Sequence, residues 1–286
     1  MKWAFFGTPD LAVTVLKELA RAGLSPDLIV SAPDAPVGRR HIITPPPVAA
    51  YASDNNIPLF QPSTLKHREE LTPLTDTAWD IFVVFAYGKI LPAWLLELPK
   101  HKTINLHPSL LPKLRGASPI RSAILDNEYP TGVTIMLMDA EMDHGPILAQ
   151  QTSPIDPATW PPSGTWLENE MAVFGGRLLA ETIPRYLKEE ITPVEQDHAQ
   201  ATFCQKITKD MAELELKPYE LPVGDIAEVM FRKIQAFTGW PEAFFIHNGK
   251  RIKIRSAHLD SAKRLVIDRI VPEGKSEMNF RDYFRS

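Results

Sequence analysis

Cysteine is almost absent from this chain, whose 286 residues include only Cys204. A single cysteine excludes a disulfide within the chain and any metal site built from several cysteines. We interpret Cys204 as an ordinary small thiol, and we expect no metal site.

Long apolar runs are also lacking. No stretch approaches the roughly 20 apolar residues that a membrane-spanning helix needs, and Pro9-Asp10 interrupts the apolar residues near the N-terminus. We therefore expect neither a transmembrane helix nor a signal peptide, and no membrane partner. The expected location is the cytoplasm.

Proline, in contrast, is abundant, with 27 residues or about 9% of the chain, where about 5% is usual. Much of it clusters in loops that we predict within three stretches, 33–47, 92–112 and 154–162. A hydrophobic content of 44% and a charged content of 23% are typical of a globular protein, and the length suits two domains.

The chain begins with a strand–helix–strand pattern. Residues 2–6 and 27–31 read as strands, and residues 11–22 as a helix with Thr8 as its N-cap and Pro9 at its first position. This order predicts a Rossmann-like, mostly parallel sheet with helices on both faces, an α/β fold. The first turn has only Gly7, so the glycine fingerprint of dinucleotide-binding proteins is absent.

An amide and an imidazole follow a buried-strand pattern. Residues 81–86 and 103–107 read as neighbouring strands, and Asn105 and His107 leave the second strand on the same face. Pro108 ends the pairing because it has no N–H. Ligands of open α/β sheets bind at the carboxyl ends of strands, where these two side chains are expected. Asn-x-His on a strand is, however, more often a structural pair than a catalytic one.

A second polar segment, the acidic loop 139–145, follows the strand predicted over 131–138 and carries Asp139, Glu141 and Asp143. Such a loop is often merely solvated. If its carboxylates lie close to Asn105 and His107, however, the site would combine an amide, an imidazole and a carboxylate. These groups suit the transfer of an acyl group between two amines. That reaction needs donors for a tetrahedral oxyanion and a group that moves protons.

These motifs resemble the signature of the 10-formyltetrahydrofolate-dependent formyltransferases in order and separation. The resemblance covers residues 1 to about 255 and is carried by the following blocks: Asn105 to Pro112, Arg115 to Ile120, Asp143 to Ile147, Phe6 to Asp10, Phe85 to Pro92, and Lys206 to Asp210. The resemblance is strongest to the branch of the family that formylates initiator methionyl-tRNA. It therefore implies two partners, the initiator methionyl-tRNA and the folate.

The resemblance implies a role for each site residue. His107 and Asn105 would donate hydrogen bonds to the formyl oxygen, and Asp143 would hold His107 in its charged form and relay a proton. The formyl donor would be 10-formyltetrahydrofolate, with no metal. The implied folate-binding residues are Phe85, Tyr87, Gly88, Ile90, Leu91, Ser109, Leu110, Leu111, Pro112, Asp139 and Glu141.

The C-terminal part of the chain differs from the rest in charge. Residues 201–286 hold 15 Lys+Arg and 12 Asp+Glu, a net charge of +3, whereas residues 1–200 hold 16 and 23, a net charge of −7. We predict a catalytic domain over 1–190, a linker over 191–202 and a shortened, small β-barrel-like tRNA-binding domain over 203–286. Its strands would include a hairpin that turns at Asn248-Gly249.

Two basic groups are candidates for contact with tRNA. Arg251, Lys253 and Arg255 alternate along one hairpin strand and would form either a phosphate-contacting stripe or an ordinary solvated face. Arg39 and Arg40 lie in the 33–47 loop, which would be either a solvated loop or an arm that contacts the acceptor end.

Other functions of the same core stay open: N-formylation of an amino-sugar nucleotide, hydrolysis of formyltetrahydrofolate, and tRNA binding without catalysis. The basic hairpin and the 33–47 loop favour tRNA as the acceptor. We expect a monomer.

Overall fold

The computed structural model describes residues 1–38 and 41–284, and they form two compact units. Unit 1 contains residues 1–115, 131–153 and 169–203, and unit 2 contains residues 116–130, 154–168 and 204–286. Arg39 and Arg40 lie outside the described residues. The predicted domain boundaries at 190 and 203 stay a prediction.

The strands are β1 Trp3–Phe6, β2 Leu28–Val30, β3 Ala35–Val37, β4 Ile42–Thr44, β5 Leu59–Phe60, β6 Ile81–Val84, β7 Thr103–His107, β8 Arg115–Gly116, β9 Gly132–Leu137, β10 Ile147–Thr152, β11 Phe203–Cys204, β12 Phe244–His247, β13 Lys250–Leu259, β14 Leu265–Pro272 and β15 Met278–Asn279. The helices are α1 Asp10–Arg21, α2 Pro47–Asp54, α3 Thr72–Thr75, α4 Ala93–Leu96, α5 Pro119–Leu125, α6 Gly164–Leu187, α7 Asp225–Ala236 and α8 Phe280–Tyr283.

Unit 1 is organised by a seven-stranded sheet in the order β10-β9-β7-β6-β1-β2-β5. The strands from β7 to β5 are parallel to their neighbours, whereas β9 is antiparallel to both β7 and β10. Every residue of β1 and β6 is buried, as expected for strands covered on both faces. The expected α/β class with a mostly parallel sheet is therefore confirmed.

The first helix packs as predicted but begins differently. Its apolar positions Val15, Leu16 and Leu19 are buried, spaced as one face of a helix requires. Thr8, however, is not the N-cap. Pro9 occupies that position, and the Thr8 hydroxyl donates instead to the main-chain oxygen of Tyr87 at 2.9 Å. That hydroxyl thus connects the ends of β1 and β6, a tertiary bond that the local sequence cannot reveal.

The segment 33–47, predicted to be a loop, contains two short paired strands. In the antiparallel pair β3 and β4, Ala35 lies opposite Thr44 and Val37 opposite Ile42. All six residues of this pair are exposed, so pairing rather than burial orders them.

Unit 2 is built around a four-stranded antiparallel sheet, β12-β13-β14-β15. Asn248 and Gly249 connect β12 and β13 with φ values of 49° and 72°. Two positive φ angles in a two-residue connection are the signature of a type I′ hairpin, as the sequence predicts. The expected β-rich C-terminal part is therefore present.

A buried arginine links three segments of unit 2. Arg121 in α5 pairs with Glu168, and its guanidinium donates to the main-chain oxygens of Ala236, Thr238 and Trp240 at 2.6 to 3.1 Å. Because arginine has five N–H donors in a planar fork, one side chain can satisfy carbonyls at the end of α7 and in the segment after it. Over the described residues, no helix is long and apolar enough to cross a membrane.

Candidate active site

The site begins on β7, which lies between β6 and β9 and ends at His107. Asn105 is half-buried, and in the described part of the chain its side-chain amide makes no hydrogen bond. His107 is buried, with 3% of its surface exposed. The two side chains share one face of the strand, as their spacing predicts, and only Asn105 has a donor that is not engaged.

Both ring nitrogens of His107 face acceptors. Nε2 lies 2.9 Å from the main-chain oxygen of Leu114, and Nδ1 lies 3.5 Å from Oδ1 of Asp143. A carbonyl oxygen can only accept, so Nε2 carries hydrogen. The imidazolium form has a donor for each of the two neighbours. The sequence motifs Asn105-x-His107 and Asp143 are thus brought together around one imidazole.

The two residues that contact His107 share a rare backbone conformation. Leu114 has φ = 57° and Asp143 has φ = 50°. Outside glycine this left-handed region costs about 1–3 kcal/mol and persists only where surrounding contacts hold it. At Leu114 the main-chain N–H donates to the Thr202 hydroxyl at 2.9 Å, and the next N–H, of Arg115, donates to the Thr202 carbonyl at 2.9 Å.

The loop that follows His107 is held by Thr134 and Gln150. The buried Thr134 hydroxyl donates to the Ser109 carbonyl at 2.7 Å and accepts from the Leu111 N–H at 3.1 Å. Nε2 of Gln150 donates to the Leu111 carbonyl at 2.8 Å and to the Thr134 hydroxyl at 2.9 Å. Side chains of β9 and β10 therefore fix the course of residues 109–111.

The acidic loop is stabilised internally. Oδ1 of Asp139 accepts from the Glu141 N–H at 2.9 Å, and Oδ2 accepts from Nδ1 of His144 at 2.7 Å. The His144 ring stacks on His198 with centroids 4.1 Å apart and planes 2° from parallel. The loop is therefore an organised structure rather than a solvated acidic run.

The predicted folate residues fall into two groups. Phe85, Tyr87, Leu91, Ser109 and Leu111 are buried, whereas Leu110, Pro112 and Asp139 are half-buried, Glu141 is exposed, and Ile90 is 89% exposed. Gly88 has φ = 82°, a conformation that favours glycine. The half-buried group and Glu141 present atoms that a ligand could contact, whereas the side chains of the buried group are covered by the protein.

Tyr87 illustrates the buried group. It packs edge-on against Phe6 in a hydrophobic cluster that also holds Leu91. Its hydroxyl is buried, and no partner for it exists among the described residues. Burial raises the pKa of Tyr87 to about 12.

The basic stripe of unit 2 is largely engaged. Lys253 and Arg255 both pair with Glu242, so they lie on the same side of β13. The Arg251 guanidinium lies over the Phe244 ring, 3.5 Å from its centroid. Two of the three predicted cations therefore share one carboxylate, which reduces the charge that this surface presents.

Four supporting residues have contacts that the sequence motifs do not reveal: Arg115, Thr134, Gln150 and Gln196. Arg115 belongs to a motif block, but its type alone does not reveal what it binds. The other three lie in segments where the pattern of apolar residues predicts at most a strand and indicates no functional role. In the described part of the chain, no group of three or more His, Cys, Asp or Glu side chains is arranged to hold a metal ion.

Two family models match the chain. The formyl transferase model covers residues 1–183, and the model of the formyl transferase C-terminal domain covers residues 224–265. The first match alone extends over more than half of the chain, and it includes Asn105, His107 and Asp143.

Curated relatives match along the full length. The methionyl-tRNA formyltransferase of Halalkalibacterium halodurans is 37% identical over 309 aligned positions, covering 100% of this chain and 94% of the relative. That of Enterococcus faecalis is 33% identical, covering 99% and 95%.

Solved structures share the fold. An N-formyltransferase from Helicobacter canadensis in complex with folinic acid and dTDP-3-aminofucose has a TM-score of 0.64 at 19% identity, covering 91% of this chain and 89% of that one. The methionyl-tRNA formyltransferase from Clostridium thermocellum has a TM-score of 0.59 at 16% identity, covering 95% and 98%. The full-length identities and both domain matches show that this chain belongs to the methionyl-tRNA formyltransferases, a family of formyl-transferring enzymes.

Proposed function

We propose that this enzyme transfers a formyl group from 10-formyltetrahydrofolate to the amino group of initiator methionyl-tRNA. The observation that carries the proposal is the buried His107, held between the Asp143 carboxylate and the Leu114 carbonyl, with the unengaged Asn105 amide on the same strand face. The names of the relatives at 33% and 37% identity support methionyl-tRNA as the acceptor.

In the proposed reaction, the methionyl amine attacks the formyl carbon and forms a tetrahedral intermediate with a negatively charged oxygen. The Asn105 amide donates to that oxygen, because its N–H groups have no acceptor within the described residues. The C–N bond to N10 of the folate then breaks. The proton lost by the amine passes through Asp143 to N10, so one proton is moved and none is consumed.

His107 has two roles in this scheme. Its Nδ1–H faces Asp143 and orients the carboxylate, and its Nε2–H provides the second donor to the oxyanion. Because Nε2 donates to Leu114 at 2.9 Å, donation to the formyl oxygen requires that contact to lengthen or to be shared. Catalytic hydrogen bonds often tighten only when substrate is bound. We therefore assign Leu114 as the acceptor that holds the imidazole before the formyl group arrives.

The folate is proposed to lie along the two loops that flank this imidazole. Leu110 and Pro112 offer half-buried apolar contacts, and the 139–145 loop offers main-chain groups held in place by Asp139 and His144. These loops are organised by protein contacts alone, so less ordering has to accompany binding.

Contact with tRNA is proposed for Arg251, Lys253 and Arg255 in unit 2 and for Arg39 and Arg40, which the structure does not describe. Glu242 competes with phosphate for Lys253 and Arg255. On RNA binding, Lys253 and Arg255 would therefore exchange the Glu242 carboxylate for phosphate.

The test offers 10-formyltetrahydrofolate together with charged initiator tRNA, an amino-sugar nucleotide or water alone. We expect formylmethionyl-tRNA as the product. Formyl transfer to the sugar, or release as formate, would reject the proposed acceptor but retain the chemistry.

Variants then test the catalytic assignment. His107→Asn and Asn105→Ala should each lower kcat by about a hundred- to a thousand-fold. Alanine removes one oxyanion donor, and asparagine is shorter than histidine and uncharged, so its amide does not reproduce the contacts of the imidazolium. The matched control is His258→Asn in unit 2, since His258 also pairs with an aspartate, Asp268, at 3.0 Å but is exposed. Turnover by His107→Asn equal to that of the control would reject the mechanism.

A further inference from the structure

The side-chain amide of Gln196 contacts the main chain of the acidic loop 139–145. It is 95% buried, and Nε2 donates to the carbonyl oxygens of Asp143 at 2.9 Å and Gly145 at 2.8 Å. The segment that carries it is fixed nearby, because Val194 and Ile147 form a β-bridge with two hydrogen bonds of 2.7 and 2.9 Å. One amide thus holds two main-chain carbonyls of the loop, two residues apart.

The other end of the same amide binds a buried cation. Oε1 of Gln196 accepts from Nη2 of Arg115 at 2.6 Å and from Nε at 3.2 Å. Arg115 is 4% exposed, and its Nη2 also donates to Nδ1 of His198 at 2.8 Å. An arginine this deeply buried needs acceptors for its donors, and Gln196 and His198 supply them.

Arg115 is also the residue next to Leu114, whose carbonyl accepts from His107. One side of the imidazole is therefore fixed by the main chain at 114–115. The other side is fixed by Asp143, whose own carbonyl is held by Gln196. The Arg115–Gln196 contact connects the segment that holds one side of the ring to the loop that holds the other.

We infer that Arg115 and Gln196 are positioning residues that set the distance between the His107 ring and the Asp143 carboxylate. The two atoms of that pair are 3.5 Å apart, beyond an ideal charged hydrogen bond. A small displacement of the loop therefore changes how His107 orients the carboxylate that carries the proton. Misplacing a reacting group by about 1 Å can cost on the order of a hundred-fold in rate.

Only glutamine fits both ends of this contact. Its nitrogen has two hydrogens for two carbonyls, and its oxygen accepts from the guanidinium. Glutamate keeps the partner of Arg115 but replaces the two donors with an acceptor. Gln196→Glu thus keeps an acceptor for the buried cation but sets a carboxylate oxygen against the carbonyl oxygens of Asp143 and Gly145, so it displaces the loop.

The test compares Gln196→Glu with Gln235→Glu. Gln235 in α7 also donates Nε2 to one main-chain oxygen, that of Pro161 at 3.3 Å, and it is half-buried. We expect Gln196→Glu to lower kcat at least ten-fold, with KM values for both substrates and the Kd for folinic acid within two-fold of the parent. The melting temperature should fall by several degrees, because two buried carbonyls lose their donor, and the protein should remain folded at the assay temperature. Gln235→Glu should change none of these values.

Arg115→Lys is the second variant, because lysine keeps the charge but lacks the planar fork that holds Oε1 of Gln196 through both Nε and Nη2, so the contact with Gln196 is weakened. It should show the same loss of kcat without a change in KM, and it carries the test if Gln196→Glu does not fold. A kcat within two-fold of the parent, or a loss explained by weaker folinic acid binding, would overturn the inference.

The inference rests on the proposed function, and different variants test the two. His107→Asn in the same assay tests the mechanism. If it retains turnover, the proposed mechanism is wrong. If it is inactive while Gln196→Glu and Arg115→Lys keep normal kcat, the positioning role alone is wrong.

Discussion

The Leu114 carbonyl accepts a hydrogen bond from Nε2 of His107 at 2.9 Å, which leaves Nδ1 directed at Asp143. This contact fixes which edge of the ring meets the carboxylate. It depends on a left-handed backbone at Leu114, φ = 57°, that Thr202 holds. The orientation of the proposed acid/base pair therefore rests on main-chain geometry, which side-chain motifs do not encode.

Asp143→Asn should retain the fold and lose catalysis. Asparagine tolerates the left-handed conformation that Asp143 adopts, φ = 50°, so the loop has no reason to rearrange. Its amide oxygen can still accept from Nδ1 of His107, but the negative charge and the proton-accepting group are gone. We expect kcat to fall by about a hundred-fold or more with KM values little changed, measured by steady-state formylation.

Asp268→Asn serves as the comparison, because it neutralises the exposed carboxylate beside His258. Normal kcat for this variant excludes a general effect of removing one charge. If Asp143→Asn were equally active, proton transfer would have to use another group.

The sequence predicts the central strand of the site completely. Apolar neighbours and Pro108 limit residues 103–107, and the structure has β7 over Thr103–His107. The turn at Asn248-Gly249 is predicted for the same reason: local backbone chemistry permits few alternatives. Where a short segment determines its own conformation, sequence reasoning succeeds.

The remaining parts of the site depend on contacts between distant segments. Gln196 lies in a stretch without periodicity, 191–202, and meets residues about fifty positions earlier. Thr8 has the residue type of an N-cap but bonds to Tyr87, 79 positions away. A side chain with several available partners chooses among them by tertiary geometry, so its type alone does not name the partner.

Glu242→Gln should strengthen tRNA binding at low salt. Lys253 and Arg255 both pair with this carboxylate, whose side chain is only 12% exposed, and amidation frees both cations for phosphate. The Kd for initiator tRNA should fall a few-fold at low salt, and its logarithm should depend more steeply on the logarithm of salt concentration. Filter binding across a salt series measures both.

Glu220→Gln is the control, since it removes an exposed carboxylate that pairs only with Lys217 among the described residues. If both variants bound tRNA alike at every salt concentration, the β13 cations would not contact phosphate.

Arg39→Ala combined with Arg40→Ala should raise the KM for tRNA and leave the KM for 10-formyltetrahydrofolate unchanged. An arginine that contacts phosphate releases counterions from the RNA. Removing the two arginines should therefore also make the KM for tRNA less dependent on salt concentration. Lys66→Ala combined with Lys100→Ala removes the same charge from exposed positions of unit 1 and should have little effect. Identical kinetics for the two double variants would contradict a role for the 33–47 segment.

Tyr87→Phe should make the folded protein less sensitive to alkali. Burial raises the pKa of Tyr87 from 10.0 to about 12, so the folded state holds this proton more tightly than the unfolded chain does. The resulting stabilisation is fully present below about pH 10 and is lost as the pH rises toward 12. Phenylalanine cannot ionise, so the variant should lose less stability than the parent between pH 9 and pH 11, as measured by urea unfolding.

At neutral pH the same variant should be at least as stable as the parent. The Tyr87 hydroxyl is buried and has no partner among the described residues, and removing an unsatisfied buried group without changing the packing is neutral or stabilising, here by about 1 kcal/mol. Tyr219→Phe, at an exposed position, provides the control. Parallel losses of stability at high pH in the parent and in Tyr87→Phe would show that the Tyr87 hydroxyl reaches solvent, because a solvated phenol would titrate alike in the folded and unfolded states.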